Sequence, residues 1–313
     1  MTLPDKVSTV AVIGNGIIGH GVAQVFAMAG TPVVMVGRDL KSLERAMANI
    51  AASYDGFVAH GLAEARQKQA MLDRIATSIE LEDAARAELV IEAVTEDLAL
   101  KLGIFERLDA ICPPPAVLGS SSGQPASALT ERVRHKERVV AAHFWYPPQL
   151  LPLVEVCGGP DADPAVVPWV CEVLRGIGRE PVVIDREIKG FIGNRLQFAM
   201  LREAWSLWAS GAASAEAIDA VVKASFGRRV GITGPIESAD MGGLDTMYHF
   251  GASLMPDLET APKPPGRIAE LVERGHRGLP TGQGVYDWSK RDGKALLGAR
   301  MDELFRWLKA GRA

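Results

Sequence analysis

The chain has 313 residues, of which 48% are hydrophobic and 23% charged, and its net charge is −4. This balance is typical of a globular protein of two domains and argues against disorder. The chain has no long basic run that would bind nucleic acid, and its apolar stretches are too short to span a membrane. The start, MTLPDKVSTV, lacks the order of a secretion signal, and three scattered cysteines suit a reducing cytosol, so we expect a cytoplasmic protein.

Strands and helices alternate in the first part of the sequence. Short β-rich runs recur up to about residue 185, and segments with helical periodicity lie between them. This alternation predicts an α/β fold, a Rossmann-type doubly wound parallel sheet covered on both faces. The predicted strands cover 7–13, 31–36, 89–94, 116–118, 139–142, 153–156 and 181–184, and the predicted helices cover 40–52, 63–75, 98–110 and 166–177.

From Gly190 onward the pattern is helical, with segments at 194–210, 215–226, 241–255 and 267–274 and no comparable strand. The polar run from Asp185 to Gly190 marks the boundary. The sequence therefore predicts a dinucleotide-binding domain over 1–186 and a smaller, all-α domain over 187–313.

A glycine motif follows the first predicted strand directly and precedes a helical segment. It is Gly14-Asn15-Gly16-Ile17-Ile18-Gly19, in the context that a dinucleotide-binding GxGxxG requires. The first glycine permits the tight turn, the second lets a pyrophosphate approach the backbone, and the third lets helix and strand pack closely. Free N–H groups at the helix start attract phosphate. The alternative is a glycine turn with only a structural role.

The second predicted strand lacks the acid that usually binds the ribose 2′-hydroxyl. Gly37 stands at that position, and Arg38 and Asp39 follow. An arginine without a competing carboxylate suits a 2′-phosphate, so the sequence slightly favours NADP over NAD. Alternatively, Arg38 is a solvated residue and Asp39 is only the N-cap of the helix from Leu40.

One histidine and one glutamate form a candidate catalytic pair. His143 follows the strand 139–142, and Glu155 lies in the apolar strand 153–156, where an unpaired acid would be costly. A carboxylate bonded to one ring nitrogen would fix the tautomer of the imidazole and make it more basic. A core histidine and an unrelated glutamate remain an equally good interpretation of these two residues alone.

Seven segments together resemble the 3-hydroxyacyl-CoA dehydrogenase family along nearly the whole chain. Within it, NRLQFAMLREAW and GPIESADMGGLD look closest to branches that act on small free hydroxy acids, namely L-gulonate 3-dehydrogenase with lambda-crystallin, and L-carnitine dehydrogenase. The segments are VAVIGNGIIGHGVAQVFAMAG, LVIEAVTEDLALK, GSSSGQP, AAHFWYPP with LVEV, GFIGNRLQFAMLREAW, GPIESADMGGLD and GHRGLPTGQGVYDW.

The resemblance implies roles for individual residues. The family's catalytic histidine falls on His143 and its orienting glutamate on Glu155. Ser122 and Asn194 match the residues that hold the reacting oxygen, which is a preorganised electrostatic contribution. Glu96 and Lys101 match cofactor-contacting positions, and Ser122 is expected to contact the cofactor as well as the reacting oxygen.

Three departures from the family pattern affect the cofactor and the pocket. Tyr146 replaces an asparagine that contacts the cofactor near the substrate, Pro280 replaces a cofactor-contacting lysine, and Gly37 replaces the ribose-binding acid. No metal ligands are expected. The resemblance implies a homodimer whose site lies between the domains.

The sequence thus predicts an NAD(P)-dependent oxidoreductase that interconverts a 3-hydroxy acid and its 3-keto form, with His143 as general acid and base. A small free acid is the favoured substrate. A 3-hydroxyacyl-CoA is the main alternative, for which the region 51–79 offers only Arg66, Lys68 and Arg74 to the CoA phosphates. A second alternative is a crystallin-like protein that binds a dinucleotide without turnover.

Overall fold

The computed structural model describes residues 1–311, which divide into two compact units. The first unit comprises Met1–Asn194 together with the chain from Arg300 onward, and the second comprises Arg195–Ala299. The domain limits expected from the sequence, 1–186 and 187–313, stay a prediction.

Eight strands form a single sheet in the first unit. They are β1 Val10–Ile13, β2 Val33–Val36, β3 Ile75–Ser78, β4 Leu89–Glu92, β5 Val117–Ser120, β6 Val139–Phe144, β7 Leu153–Gly158 and β8 Glu180–Val183. Their spatial order is β3-β2-β1-β4-β5-β6-β7-β8. With this order, the predicted Rossmann-type fold is confirmed.

The sheet is parallel except between β6 and β7, which pair antiparallel. The predicted parallel sheet is thus confirmed for six of its seven strand pairs, and the sequence analysis did not foresee the one antiparallel pair. Only residues 145–152 join β6 to β7. That link is too short for the crossover that a parallel pair needs, so the chain turns back beside its own strand.

Seven helices lie wholly or partly in the first unit before the chain enters the second. They are α1 Gly19–Met28, α2 Leu40–Ala59, α3 Lys68–Leu72, α4 Leu98–Ile111, α5 Ala126–Leu129, α6 Val166–Gly176 and α7 Phe191–Ala209. The helix expected over 63–75 is wrong in part, since only the short α3 forms and Ile75 already begins β3. In that strand Ile75 is buried while Ala76 and Thr77 are exposed, which is why no apolar run marks it.

The core covers both faces of the sheet because successive strand residues point to opposite sides. Val10 and Val12 of β1 belong to one buried cluster, and Ala11 and Ile13 belong to the other. The three cysteines are buried and unbridged. Burial raises the pKa of two of these thiols, Cys112 and Cys157, to about 11. The double-sided core agrees with the helix-covered sheet predicted from the sequence.

The second unit is helical. Besides most of α7 it contains α8 Ala215–Ala224, α9 Pro235–Met241, α10 Leu244–Leu254, α11 Gly266–Glu273 and the first part of α12 Gly293–Ala310. Between residues 195 and 299 only Gly293 is buried, so this unit buries no apolar side chain of its own.

The last turns of α12 belong to the first unit. There Phe305 and Leu308 pack with Phe57 and Leu150 in a small buried cluster. The sequence analysis did not predict this helix. None of the helices in the described part of the chain is both long and apolar enough to cross a membrane.

Candidate active site

The glycine loop between β1 and α1 has a separate physical reason for each of its three glycines. Gly14 has φ +101°, and a Cβ there would lie 2.7 Å from the carbonyl oxygen of Ala93. A Cβ at Gly19 would lie 1.8 Å from the carbonyl oxygen of Gly14, so the helix can approach only without a side chain. At Gly16 no atom lies within 4 Å of the Cβ position. The turn, the close packing and the open approach are the geometry that a pyrophosphate requires.

The start of α1 is open to an anion. Its N-cap residue, Ile18, provides no side-chain hydrogen bond, and the first turn contains no acid. Asn15 and Gly16 line a cavity of about 490 Å³ together with Gly37, Arg38 and residues from the end of β4. The residues present therefore fit a dinucleotide, with its phosphates at the helix N-terminus.

The residues after β2 support both interpretations that the sequence left open. Asp39 caps α2 by accepting a hydrogen bond from the Ser42 amide at 2.7 Å, and this bond holds the pKa of the Asp39 carboxyl below its ordinary value. The Arg38 side chain is 88% exposed and lies 3.3 Å from Asp39. A Cβ at Gly37 would lie 2.7 Å from Leu43, so no acid fits there without a shift. Arg38 is thus solvated and also lines the dinucleotide cavity.

A buried ion pair lies at the end of β4. Lys101 Nζ is 2.8 Å from Glu92 Oε1, and both side chains are almost fully buried. Lys101 also donates to the carbonyl oxygen of Val94 at 3.2 Å, and Ser120 Oγ donates to Glu92 Oε2 at 2.6 Å. These bonds fix the loop after β4. Neither Glu92 nor Ser120 was singled out in the sequence, although Glu92 stands as an acid at the end of an apolar strand.

Ser122 and Glu96 are in direct contact. Ser122 Oγ donates to Glu96 Oε2 at 2.7 Å and accepts from the Gln124 amide at 3.0 Å. Lys101 Nζ lies 4.0 Å from the other oxygen of Glu96. Three residues that the resemblance assigned separately to the site are therefore adjacent.

His143 and Glu155 form the hydrogen bond that the sequence analysis expected. They are direct partners in the antiparallel pairing of β6 and β7, so their side chains point to the same face. Nδ1 of His143 lies 3.0 Å from Oε2 of Glu155, and the two side chains are 12% and 2% exposed. A carboxylate oxygen can only accept, so Nδ1 carries the proton and Nε2 of the neutral ring is free to act as a base.

Three further groups donate to Glu155. Trp145 Nε1 donates to Oε2 at 3.0 Å, and the amides of Ile192 and Gly193 donate to Oε1 at 2.9 and 3.0 Å. Burial raises the pKa of the Glu155 carboxyl, but the hydrogen bonds from His143, Gly193 and Trp145 outweigh burial and hold this pKa below its ordinary value. Glu155 is thus an anion at neutral pH.

The start of α7 supplies the last parts of the site. Phe191 is fully buried at φ +52°, and its ring stacks on His143 with centroids 5.4 Å apart. Because α7 begins at Phe191, Asn194 lies in its first turn. The amide nitrogen of Asn194 is 3.8 Å from the Cβ position of Gly123, the neighbour of Ser122. Tyr146 is 59% exposed, and its cofactor contact stays a prediction.

Two family models match the chain. The model described as 3-hydroxyacyl-CoA dehydrogenase, NAD binding domain, matches residues 9–188, and the model of the C-terminal domain matches residues 190–288. An L-carnitine dehydrogenase of Streptomyces griseus is 37% identical over 80% of this chain and 76% of its own length.

A second relative is a 5-formyl-3-hydroxy-2-methylpyridine 4-carboxylate 5-dehydrogenase of Mesorhizobium japonicum, 29% identical over 95% of this chain and 96% of its own. A solved structure of an enzyme of that activity, described as an NAD⁺ dependent dismutase, is 28% identical. It superposes with a TM-score of 0.88 over 97% of this chain and 99% of that chain.

Proposed function

The chain belongs to the 3-hydroxyacyl-CoA dehydrogenase family, and we propose from this premise that it interconverts a small free 3-hydroxy acid and its 3-keto form. The family consists of NAD-dependent dehydrogenases that act on CH–OH groups. The observation that carries the proposal is the 3.0 Å hydrogen bond between the His143 imidazole and the buried Glu155 carboxylate.

In alcohol oxidation, Nε2 of His143 accepts the proton of the substrate hydroxyl, and Glu155 stabilises the imidazolium that forms. A bound nicotinamide dinucleotide supplies the acceptor for the hydride that leaves the carbinol carbon. In the reverse direction the imidazolium returns its proton to the carbonyl oxygen. Ser122 and Asn194 donate hydrogen bonds to that oxygen, where negative charge grows in the transition state.

The donation from Ser122 requires a rearrangement of its hydroxyl. In the structure this hydroxyl donates to Glu96. A hydroxyl has a single proton to donate, so substrate must take that proton away from Glu96. Glu96 therefore holds Ser122 in place until the substrate oxygen arrives.

A free acid is favoured over a CoA thioester. Two of the three basic residues in the region 51–79 are already paired: Arg66 bonds to Glu64, and Lys68 lies 2.8 and 2.7 Å from the two oxygens of Asp55. Each pair places a carboxylate beside the cation, which reduces the net positive charge that this region presents to CoA phosphates. Both relatives described above are named for substrates without CoA.

For the cofactor we propose NADP, with NAD as the alternative. Gly37 brings no carboxylate to repel a 2′-phosphate, and Arg38 lines the cavity with a side chain that is 88% exposed. Its contact with Asp39 is an exposed ion pair, which costs little to exchange for a phosphate. The related enzyme of known structure is itself described as NAD⁺ dependent.

We also propose a homodimer formed through the second unit. Ile236, Met241 and Tyr248 are 80, 78 and 71% exposed, and no apolar side chain between residues 195 and 299 is buried. A helical unit gains its stability from burying an apolar face, so this one needs a second copy to cover it. The three buried, unbridged cysteines support a reducing compartment such as the cytosol.

A substrate screen tests the proposal. Free 3-hydroxy acids and 3-hydroxyacyl-CoA thioesters are each supplied with NADP⁺ or NAD⁺, and formation of the reduced cofactor is followed by its absorbance. Turnover of a free acid supports the proposal, and turnover of thioesters alone replaces it with the acyl-CoA alternative. Cofactor binding with no turnover of any substrate class would instead favour the crystallin-like binder.

A further inference from the structure

Trp145 shares one oxygen of Glu155 with the imidazole. Its indole Nε1 donates to Oε2 at 3.0 Å, and Nδ1 of His143 donates to the same atom at 3.0 Å. The other oxygen, Oε1, accepts from the amides of Ile192 and Gly193. The carboxylate is therefore held at both oxygens, and two donors compete for the one that faces the histidine.

The indole is fixed by packing as well as by its hydrogen bond. A Cβ at Gly193 would lie 2.2 Å from Cζ2 of Trp145, so the indole lies directly against the backbone of that glycine. The ring also meets His143 edge-on, with centroids 6.0 Å apart and an interplanar angle of 74°. Trp145 cannot turn away from Glu155 without losing these contacts.

We propose that Trp145 is a positioning residue that limits how strongly Glu155 holds the proton of His143. A donor shared at one oxygen reduces the negative charge available to the other donor. The indole thereby reduces the electrostatic stabilisation that the carboxylate gives to the imidazolium. The amides at Oε1 keep the carboxylate in place. The proposal rests on the function proposed above for the His143 and Glu155 pair.

Within the described residues, His143 is the one ionisable group that hydrogen-bonds to Glu155, and its other donors are an indole and two main-chain amides. Across the sheet, β8 places Val182 opposite Glu155, and the start of α7 contributes main-chain amides. Two other charged residues of the candidate site, Glu96 and Lys101, are engaged with Ser122 and Glu92.

The consequence concerns the direction of the reaction. Alcohol oxidation needs the neutral imidazole, and ketone reduction needs the imidazolium. By weakening the hold of Glu155 on the proton, Trp145 extends oxidation to lower pH.

The test is Trp145→Phe, which removes the N–H and keeps an aromatic ring. The matched control is Trp169→Phe, because Trp169 Nε1 also makes one hydrogen bond, to the carbonyl oxygen of Pro4 at 3.0 Å. Two readouts are followed: the acid limb of kcat/KM for oxidation, and the NMR titration of the His143 ring in the ligand-free protein, assigned with His143→Gln.

In Trp145→Phe both midpoints should move to higher pH by roughly half a unit, so oxidation on the acid limb falls about threefold while its high-pH plateau changes little. The control should leave both midpoints in place. Unchanged or lowered midpoints would overturn the proposal. If the NMR midpoint rises in Trp145→Phe but the wild-type protein oxidises no hydroxy acid, the proposed function is wrong and the effect of Trp145 on His143 is still supported.

Gly193→Ala provides a second variant if Trp145→Phe does not fold. The new methyl displaces the indole from Oε2 while Trp145 and Glu155 both remain. The midpoint of the His143 ring should again rise. A fall or no change in this variant would count against the proposal in the same way.

Discussion

Nδ1 of His143 lies 3.0 Å from Oε2 of Glu155 because the antiparallel pairing of β6 and β7 places the two residues directly opposite each other. The carboxylate is almost fully buried, so its hydrogen bonds decide whether it stays charged. The pair therefore depends on pH in a way that stability measurements can detect.

Glu155→Gln should reduce the free energy of unfolding at pH 7 by about 1.5–3 kcal/mol, the range for hydrogen bonds to a charged group. The pKa of Glu155 in the folded protein lies below the ordinary 4.5. Its stabilisation is therefore fully present above pH 4.5 and is lost as the pH falls through the folded value. Urea unfolding at pH 5, 4 and 3 checks this in the range where the imidazole is already protonated, with exposed Glu172→Gln as control. A difference from wild type that grows between pH 5 and pH 3 would contradict the assignment.

Lys101→Met should destabilise the ligand-free protein by about 3–5 kcal/mol, because Glu92 would be left as a buried charge without its partner. The double variant Glu92→Gln with Lys101→Met should recover part of the loss. Thermal and urea unfolding without cofactor measure both, and the exposed Lys41→Met is the control. If Lys101→Met unfolded like the control while cofactor binding weakened, the lysine would serve the cofactor and not the fold.

Arg38→Ala should weaken NADPH binding about tenfold, the loss of one charge-assisted hydrogen bond, and leave NADH binding unchanged. Titrations of each cofactor by fluorescence measure the two dissociation constants, and Arg45→Ala on the exposed side of α2 is the matched control. Tighter binding of NADH than of NADPH by the wild-type chain would refute the preference for NADP.

Ile236→Asp should convert a dimer into a monomer, since a charge on an 80% exposed isoleucine of α9 would disrupt an apolar interface. Leu40→Asp, at a 64% exposed leucine of the first unit, should leave the dimer intact. Sedimentation velocity over a range of concentrations compares the two variants with wild type. A wild-type chain that sediments as a monomer at high concentration would disprove the dimer.

The elements that frame the site could be predicted because each carries a local signal. The glycine loop was recognisable from its place between a strand and a helix. An acid in an apolar strand made His143 and Glu155 candidates, and only the family resemblance favoured them over a core histidine and an unrelated glutamate. Strand β3 gave no such signal, since only Ile75 on one side of it is buried. The antiparallel pairing of β6 with β7 could have been predicted, because the link 145–152 is too short to hold a crossover helix.

Features that depend on distant contacts could not be predicted. The start of α7 at Phe191 depends on a left-handed backbone at a phenylalanine, which local preferences disfavour. The bond from Trp145 to Glu155 depends on close packing against Gly193, which is 48 positions further along the chain. Helix α12 shows apolar residues at helical spacing from Leu296 to Leu308, and this periodicity was present but not recognised.

The most direct test of the central claim is the steady-state oxidation rate of His143→Gln beside its cofactor affinity, with the exposed His249→Gln as control. If His143 moves the substrate proton, kcat falls by about 10²- to 10⁴-fold while the dissociation constant of the reduced cofactor stays unchanged. A His143→Gln variant that oxidises the substrate at the rate of the control would contradict the account.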